Sequence, residues 1–152
     1  MAEMVMKELC RQADVAEQFE IASAAVSSEE TGNDIYPPAQ RKLREKGIPF
    51  GHHAARQITP ADYAYYDYII CADRSNLRRL EWITGKDTDH KVSLMMNWIE
   101  RGEGVNELTS ERMNGLTGYR EDVADPWYTG DFEAAYRDIE QSCQAILKQL
   151  NI

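Results

Sequence analysis

The stretch "DPWYTGDFEAAY", Asp125 to Tyr136, sets an acid, a proline, two large aromatics and a glycine just ahead of an apolar helical stripe. A proline ring disfavours the α region for the residue before it, so Asp125 is held extended. Trp127 and Tyr128 follow at once, and rings of that size are costly to leave exposed in a loop. Spacing alone leaves three readings open: a helix-start carboxylate, a solvated loop acid, or an acid presented to a ligand.

The other reactive side chains are scattered. Cys10, Cys71 and Cys143 lie far apart, none in a C-x-x-C pair, and their number is odd. That speaks against a disulfide framework or a zinc site, and for a reducing, cytoplasmic compartment. Cys71 falls in an apolar run and Cys143 on the last helix's stripe, where a thiol behaves as a small core hydrophobe. His52, His53 and His90 have no ligand spacing with cysteine or carboxylate, so no metal or other cofactor is expected. The net charge of −9 makes a nucleic-acid partner unfavourable. The absence of any run of about 18 apolar residues argues against a membrane span, and no signal segment is legible at the N-terminus.

Residues 2–12 read as a helix, with Val5 and Leu9 one turn apart. "QFEIASAAV", 18–26, reads as a buried strand. A helix over 38–47 has Pro38 at its start and Gly47 past its end. Thr59 predicts an N-cap, with Pro60 in the first turn and Asp62 completing a capping box. Residues 66–72 read as a strand and 74–85 as a helix closing on Gly85. Residues 91–98 suit a strand or a helix start equally, and 101–124 read as loop. From Phe132 to Leu150 apolar residues recur at three- and four-residue spacing. Helices alternating with short apolar strands predict an α/β fold with a mainly parallel sheet, in one domain over 1–152.

"MAEMVMKEL", "EIASAAV", "KGIPFGHHAARQIT", "YDYIICADRSNLRRL" and "DPWYTGDFEAAYRDIEQSC" together resemble the low-molecular-weight protein tyrosine phosphatase family, in its order and at nearly its spacing. The resemblance covers most of the chain outside residues 99–121. It implies a three-layer doubly wound fold and phosphoryl transfer through a phosphocysteine. A low-pKa thiolate and an arginine would sit at a helix N-terminus, with a separate acid for the leaving oxygen.

By that resemblance Asp125 is the general acid, and Trp127 and Tyr128 wall the cleft against a phosphotyrosine ring. Ser23 and His53 support the catalytic loop, and Asp73 supports the site from a strand's carboxyl end. Glu3 matches a glutamate of the first helix. Ala22 stands where the family usually has aspartate, and Trp127 where it commonly has tyrosine. The implied partner is a phosphotyrosine protein or a small aryl phosphate, with the protein a monomer or weak dimer.

The family's signature, C-x5-R-S-P, should immediately precede "MAEMVMKEL". Six positions after Cys10, Cys71 and Cys143 stand Ala16, Leu77 and Gln149, so no cysteine here begins C-x5-R. The resemblance thus implies a chain without the first strand, the nucleophile and its arginine, inactive as it stands. A central strand of about 5–6 residues would bury some four aliphatic side chains, roughly 6–12 kcal/mol in all. Domain stability is about 5–15 kcal/mol, so such a chain is expected to be marginal or to pair through its open edges. Alternatives are a non-catalytic phosphoprotein-binding module, a phosphoarginine phosphatase or, least favoured for want of paired cysteines, an arsenate reductase.

Overall fold

The computed structural model describes residues 1–99, 122–124 and 130–150. The described helices are α1 (Ala2–Gln12), α2 (Pro37–Glu45), α3 (Pro60–Tyr65), α4 (Arg74–Thr84) and α5 (Phe132–Gln149). Strands β1 (Ile69–Cys71) and β2 (Val92–Leu94) pair in parallel, with Ile69 opposite Val92 and Cys71 opposite Leu94. Single-turn 3-10 segments occupy Ala16–Gln18 and Met95–Trp98. This is an α/β fold with a parallel sheet.

Local chemistry explains the helix ends. The Thr59 hydroxyl accepts from Asp62 N, and the Asp62 carboxylate accepts from Thr59 N at 2.8 Å. This is the capping box that the sequence predicts. Pro37 and Pro38 open α2, where a missing N–H costs nothing. Gly85, at φ +82, closes α4 in a conformation that a Cβ would strain.

The larger core lies between α1 and α5. Val5, Met6 and Cys10 pack with Tyr136, Ile139, Cys143 and Ile146, which is the stripe read from the sequence. Leu43 of α2 joins this cluster, fully buried. A smaller cluster, Cys71, Leu80 and Leu94, fixes α4 against the two strands.

One expectation needs correction. Residues 18–26 do not form a buried strand. Phe19 is extended and Phe19 and Ile21 reach the core, but Glu20 and residues 22–24 are exposed. Among the described residues the run's only ladder bonds are at Ala25, whose N–H donates to Arg56 O and whose carbonyl accepts from Ile58 N, each at 2.8 Å. Extended backbone becomes a strand only when its polar groups pair with a neighbour repeatedly along the run. Residues 91–98 are strand and then helical turn, so the two readings each hold for half the segment. Of the loop expected over 101–124, only 122–124 fall among the described residues.

Candidate active site

In open parallel sheets, ligands bind beyond the carboxyl ends of the strands. β1 ends at Cys71, and two residues later Asp73 caps α4. Its carboxylate accepts from Asn76 N at 2.7 Å, and Asn76 Oδ1 accepts in return from Asp73 N at 3.3 Å. Asp73 is thus fixed in place by a reciprocal cap at the strand's end.

The chain returns to this spot just before Asp125. Asp122 accepts from Arg74 N at 3.0 Å, and Val123 N donates to Ala72 O at 2.9 Å. Ala124 N donates to the carboxylate of Asp138 at 2.9 Å. Asp138 is buried, only 6% exposed, on the inward face of α5. The residues leading to Asp125 are therefore tied both to the carboxyl end of β1 and to α5. On the far side, Gly130 takes φ +70 and Asp131 caps α5, accepting from Ala134 N at 2.9 Å. Asp125, Trp127 and Tyr128 themselves lie outside the described residues.

A second polar group gathers beside the first turn of α1. Ser23 Oγ donates to Glu3 Oε1 at 2.6 Å. His53 Nε2 lies 3.0 Å from Ser23 Oγ and 3.2 Å from Glu3 Oε1, so a proton on Nε2 faces both oxygens. Burial by itself would raise the Glu3 pKa, but hydrogen bonds from Lys7 and Ser23 outweigh it and hold the carboxyl below its usual range. Asp34 fixes which histidine faces inward. It accepts from His53 N at 3.0 Å and contacts His52 Nδ1 at 3.1 Å, leaving the His52 side chain 73% exposed. Ser23 and His53 thus meet each other and Glu3, while Asp73 belongs to the group around β1.

No described thiol is poised for nucleophilic chemistry. Cys10, Cys71 and Cys143 are all buried. Burial, helped by Asp73, pushes Cys71 up to about 11, and burial with Cys10 nearby pushes Cys143 up to about 12. Among the described residues no group of three or more histidine, cysteine or acidic side chains could hold a metal ion. No described helix is long and apolar enough to cross a membrane.

Three residues of this architecture escape a motif-led reading: Asp34, Asp122 and Asp138. Asp138 alone leaves a usable signal in the sequence. It sits three residues after Ala135 and one before Ile139, a carboxylate on a mainly apolar face. Such a carboxylate needs a buried partner. Here that partner includes the backbone entering the Asp125 loop.

The chain matches the family model described as "Low molecular weight phosphotyrosine protein phosphatase" over residues 1–152. It is 31% identical to the Homo sapiens protein of that name, over 97% of this chain and 85% of the relative. It is 28% identical to the low molecular weight protein-tyrosine-phosphatase YfkJ of Bacillus subtilis, over 99% of this chain and 86% of that protein. The crystal structure of YfkJ superposes with a TM-score of 0.83 at 26% identity, covering 98% of this chain and 84% of the other. That of a Drosophila arginine phosphatase superposes at 0.77, also at 26% identity, covering 99% and 88%. The chain belongs to the low molecular weight phosphotyrosine protein phosphatase family, whose members are hydrolases of phosphorylated protein tyrosine.

Proposed function

We propose that this chain carries the acid-loop and scaffold portion of a phosphotyrosine phosphatase. Asp125 protonates the leaving tyrosyl oxygen and later activates water for hydrolysis of the phosphocysteine. Trp127 and Tyr128 hold the substrate ring between aromatic faces. Ser23 and His53 position the phosphate-binding loop, and Asp73 supports the site from the end of β1.

The observation that carries this reading is the tethering of the backbone just before Asp125. Ala124 is bonded to buried Asp138, and Val123 to the end of β1. A solvated loop acid would need no such anchorage. Family membership supports phosphotyrosine as the substrate class, and the paired aromatics after Asp125-Pro126 favour an aryl phosphate over phosphoarginine. No cysteine in the sequence is followed by arginine six positions on. The sequence as it stands therefore supplies the acid without the nucleophile, and catalysis requires a C-x5-R loop ahead of α1.

The test is hydrolysis of a small aryl phosphate by the 152-residue chain, beside the same chain preceded by a strand and a C-x5-R-S-P loop. The chain alone is expected to be silent and the loop-bearing form to turn over. Hydrolysis by the 152-residue chain itself, abolished by no cysteine substitution, would show a different chemistry. Tight, micromolar binding of a phosphotyrosine peptide by the silent chain would instead favour a non-catalytic binding module.

A further inference from the structure

Beside the far end of the acid loop the surface forms an open groove of about 600 Å³. Tyr36, Pro38 and Phe132 supply its apolar part, and Arg41 and Lys42 of α2 its cations. Gly130, which follows directly on the 125–129 stretch, forms part of its wall. A ligand filling the groove therefore lies next to the loop that carries Asp125.

The charges here run against the rest of the molecule. The chain carries −9 overall, yet residues 41–46, "RKLREK", set four cations against one carboxylate. Those cations are used very differently. Lys42 is bonded to Glu45 and Glu133, at 2.8 and 2.9 Å, and Lys46 to Glu133 at 2.8 Å. Arg44 lies over the Phe50 ring, 5.2 Å from its centroid. The Arg41 side chain is exposed and makes no hydrogen bond or ion pair among the described residues. Glu45, the groove's own carboxylate, is already neutralised by Lys42. What faces a ligand is an uncommitted guanidinium beside the Tyr36–Phe132 ring pair, whose centroids are 6.1 Å apart.

Such a pairing fits an acidic peptide. A guanidinium takes a carboxylate in a two-point hydrogen-bonded fork, and aromatic residues beside it cover the adjoining aliphatic stem. The chain's distant acids oppose this only weakly, because exposed charges are screened beyond about 8 Å at physiological salt.

We propose that the α2 groove is a docking site for an acidic segment of the protein substrate, with Arg41 as its specificity-determining residue. Its role as a substrate subsite rests on the phosphatase reading above; the binding itself does not. The groove holds a glutamate or aspartate flanking the phosphotyrosine, and an adjacent apolar side chain rests on Tyr36 and Phe132.

The test uses the 152-residue chain and a fluorescein-labelled, unphosphorylated peptide of acidic and apolar residues, titrated by fluorescence anisotropy. The same peptide with each glutamate replaced by glutamine is the comparison. Saturable binding is expected for the acidic peptide only, weakened at least about tenfold by Arg41→Glu and weakened by added salt. Arg78→Glu, an equal charge reversal at an exposed position of α4, should leave it unchanged. Equal binding of the glutamine peptide would overturn the proposal. So would an Arg41→Glu chain, folded by circular dichroism, that binds undiminished, or an equal loss in Arg78→Glu. Because no phosphate is present, a negative result here leaves the aryl phosphate assay standing, and a negative result there leaves this one standing.

Discussion

The two polar groups near the proposed active site are built on different plans. Around the end of β1, Asp73, Asp122 and Asp138 each accept a backbone N–H, and all three bonds join elements or cap one. Beside α1, Glu3, Ser23 and His53 bond side chain to side chain, in an environment open enough to leave Ser23 exposed. The first group fixes where the chain runs. The second fixes only how three side chains are turned. A backbone anchor is expected to matter for folding, and a side-chain cluster for positioning.

That contrast can be broken by substitution. The largest loss of stability is expected at Asp138→Ala, which leaves Ala124 N without its buried acceptor. The expected cost is about 1–3 kcal/mol, read as a lower denaturation midpoint in urea. Asp73→Ala removes a helix cap and should cost about 1 kcal/mol, with Asp73→Asn retaining most of it. Ser23→Ala and His53→Gln should cost less than about 0.5 kcal/mol, as partly exposed changes do. If either of these matched Asp138→Ala, the division into anchor and positioning cluster would fail.

The smallest effect concerns pH. Hydrogen bonds from Lys46 and Lys42 hold the Glu133 carboxyl down at about 2. A depressed folded-state pKa gives stability that is present above the unfolded value, near 4.3, and lost as pH falls towards 2. Glu133→Gln should therefore lose a little stability at neutral pH, little because the Glu133 side chain is about half exposed, and progressively less as pH falls towards 2, which flattens the acid side of the profile. A larger loss at pH 3 than at pH 7 would contradict this sign.

Much of the scaffold was legible because local signals and burial agreed. The stripe from Ala135 to Ile146 and the Thr59–Asp62 box each state their own structure in a few residues. The run 18–26 misled because apolar content gives extended conformation but not a pairing partner, and among the described residues only Ala25 finds one. In the site, family motifs drew attention to Ser23, His53 and Asp73, whereas Asp34 and Asp122 carry no sequence signal. Each does its work by accepting a backbone N–H that becomes a neighbour only after folding. Arg41 was unreadable for a related reason. What sets it apart from Lys42 is that Glu133, 91 residues from Lys42, claims the lysine and leaves the arginine.

The central claim is that this scaffold exists to present Asp125 to a leaving aryl oxygen. Its most direct test is the turnover of a small aryl phosphate by the form bearing a C-x5-R-S-P loop, with and without Asp125→Asn. The account predicts a fall in kcat of about 10²–10⁴, with the asparagine variant retaining its fold and largely its KM. Unchanged turnover in that variant would contradict it.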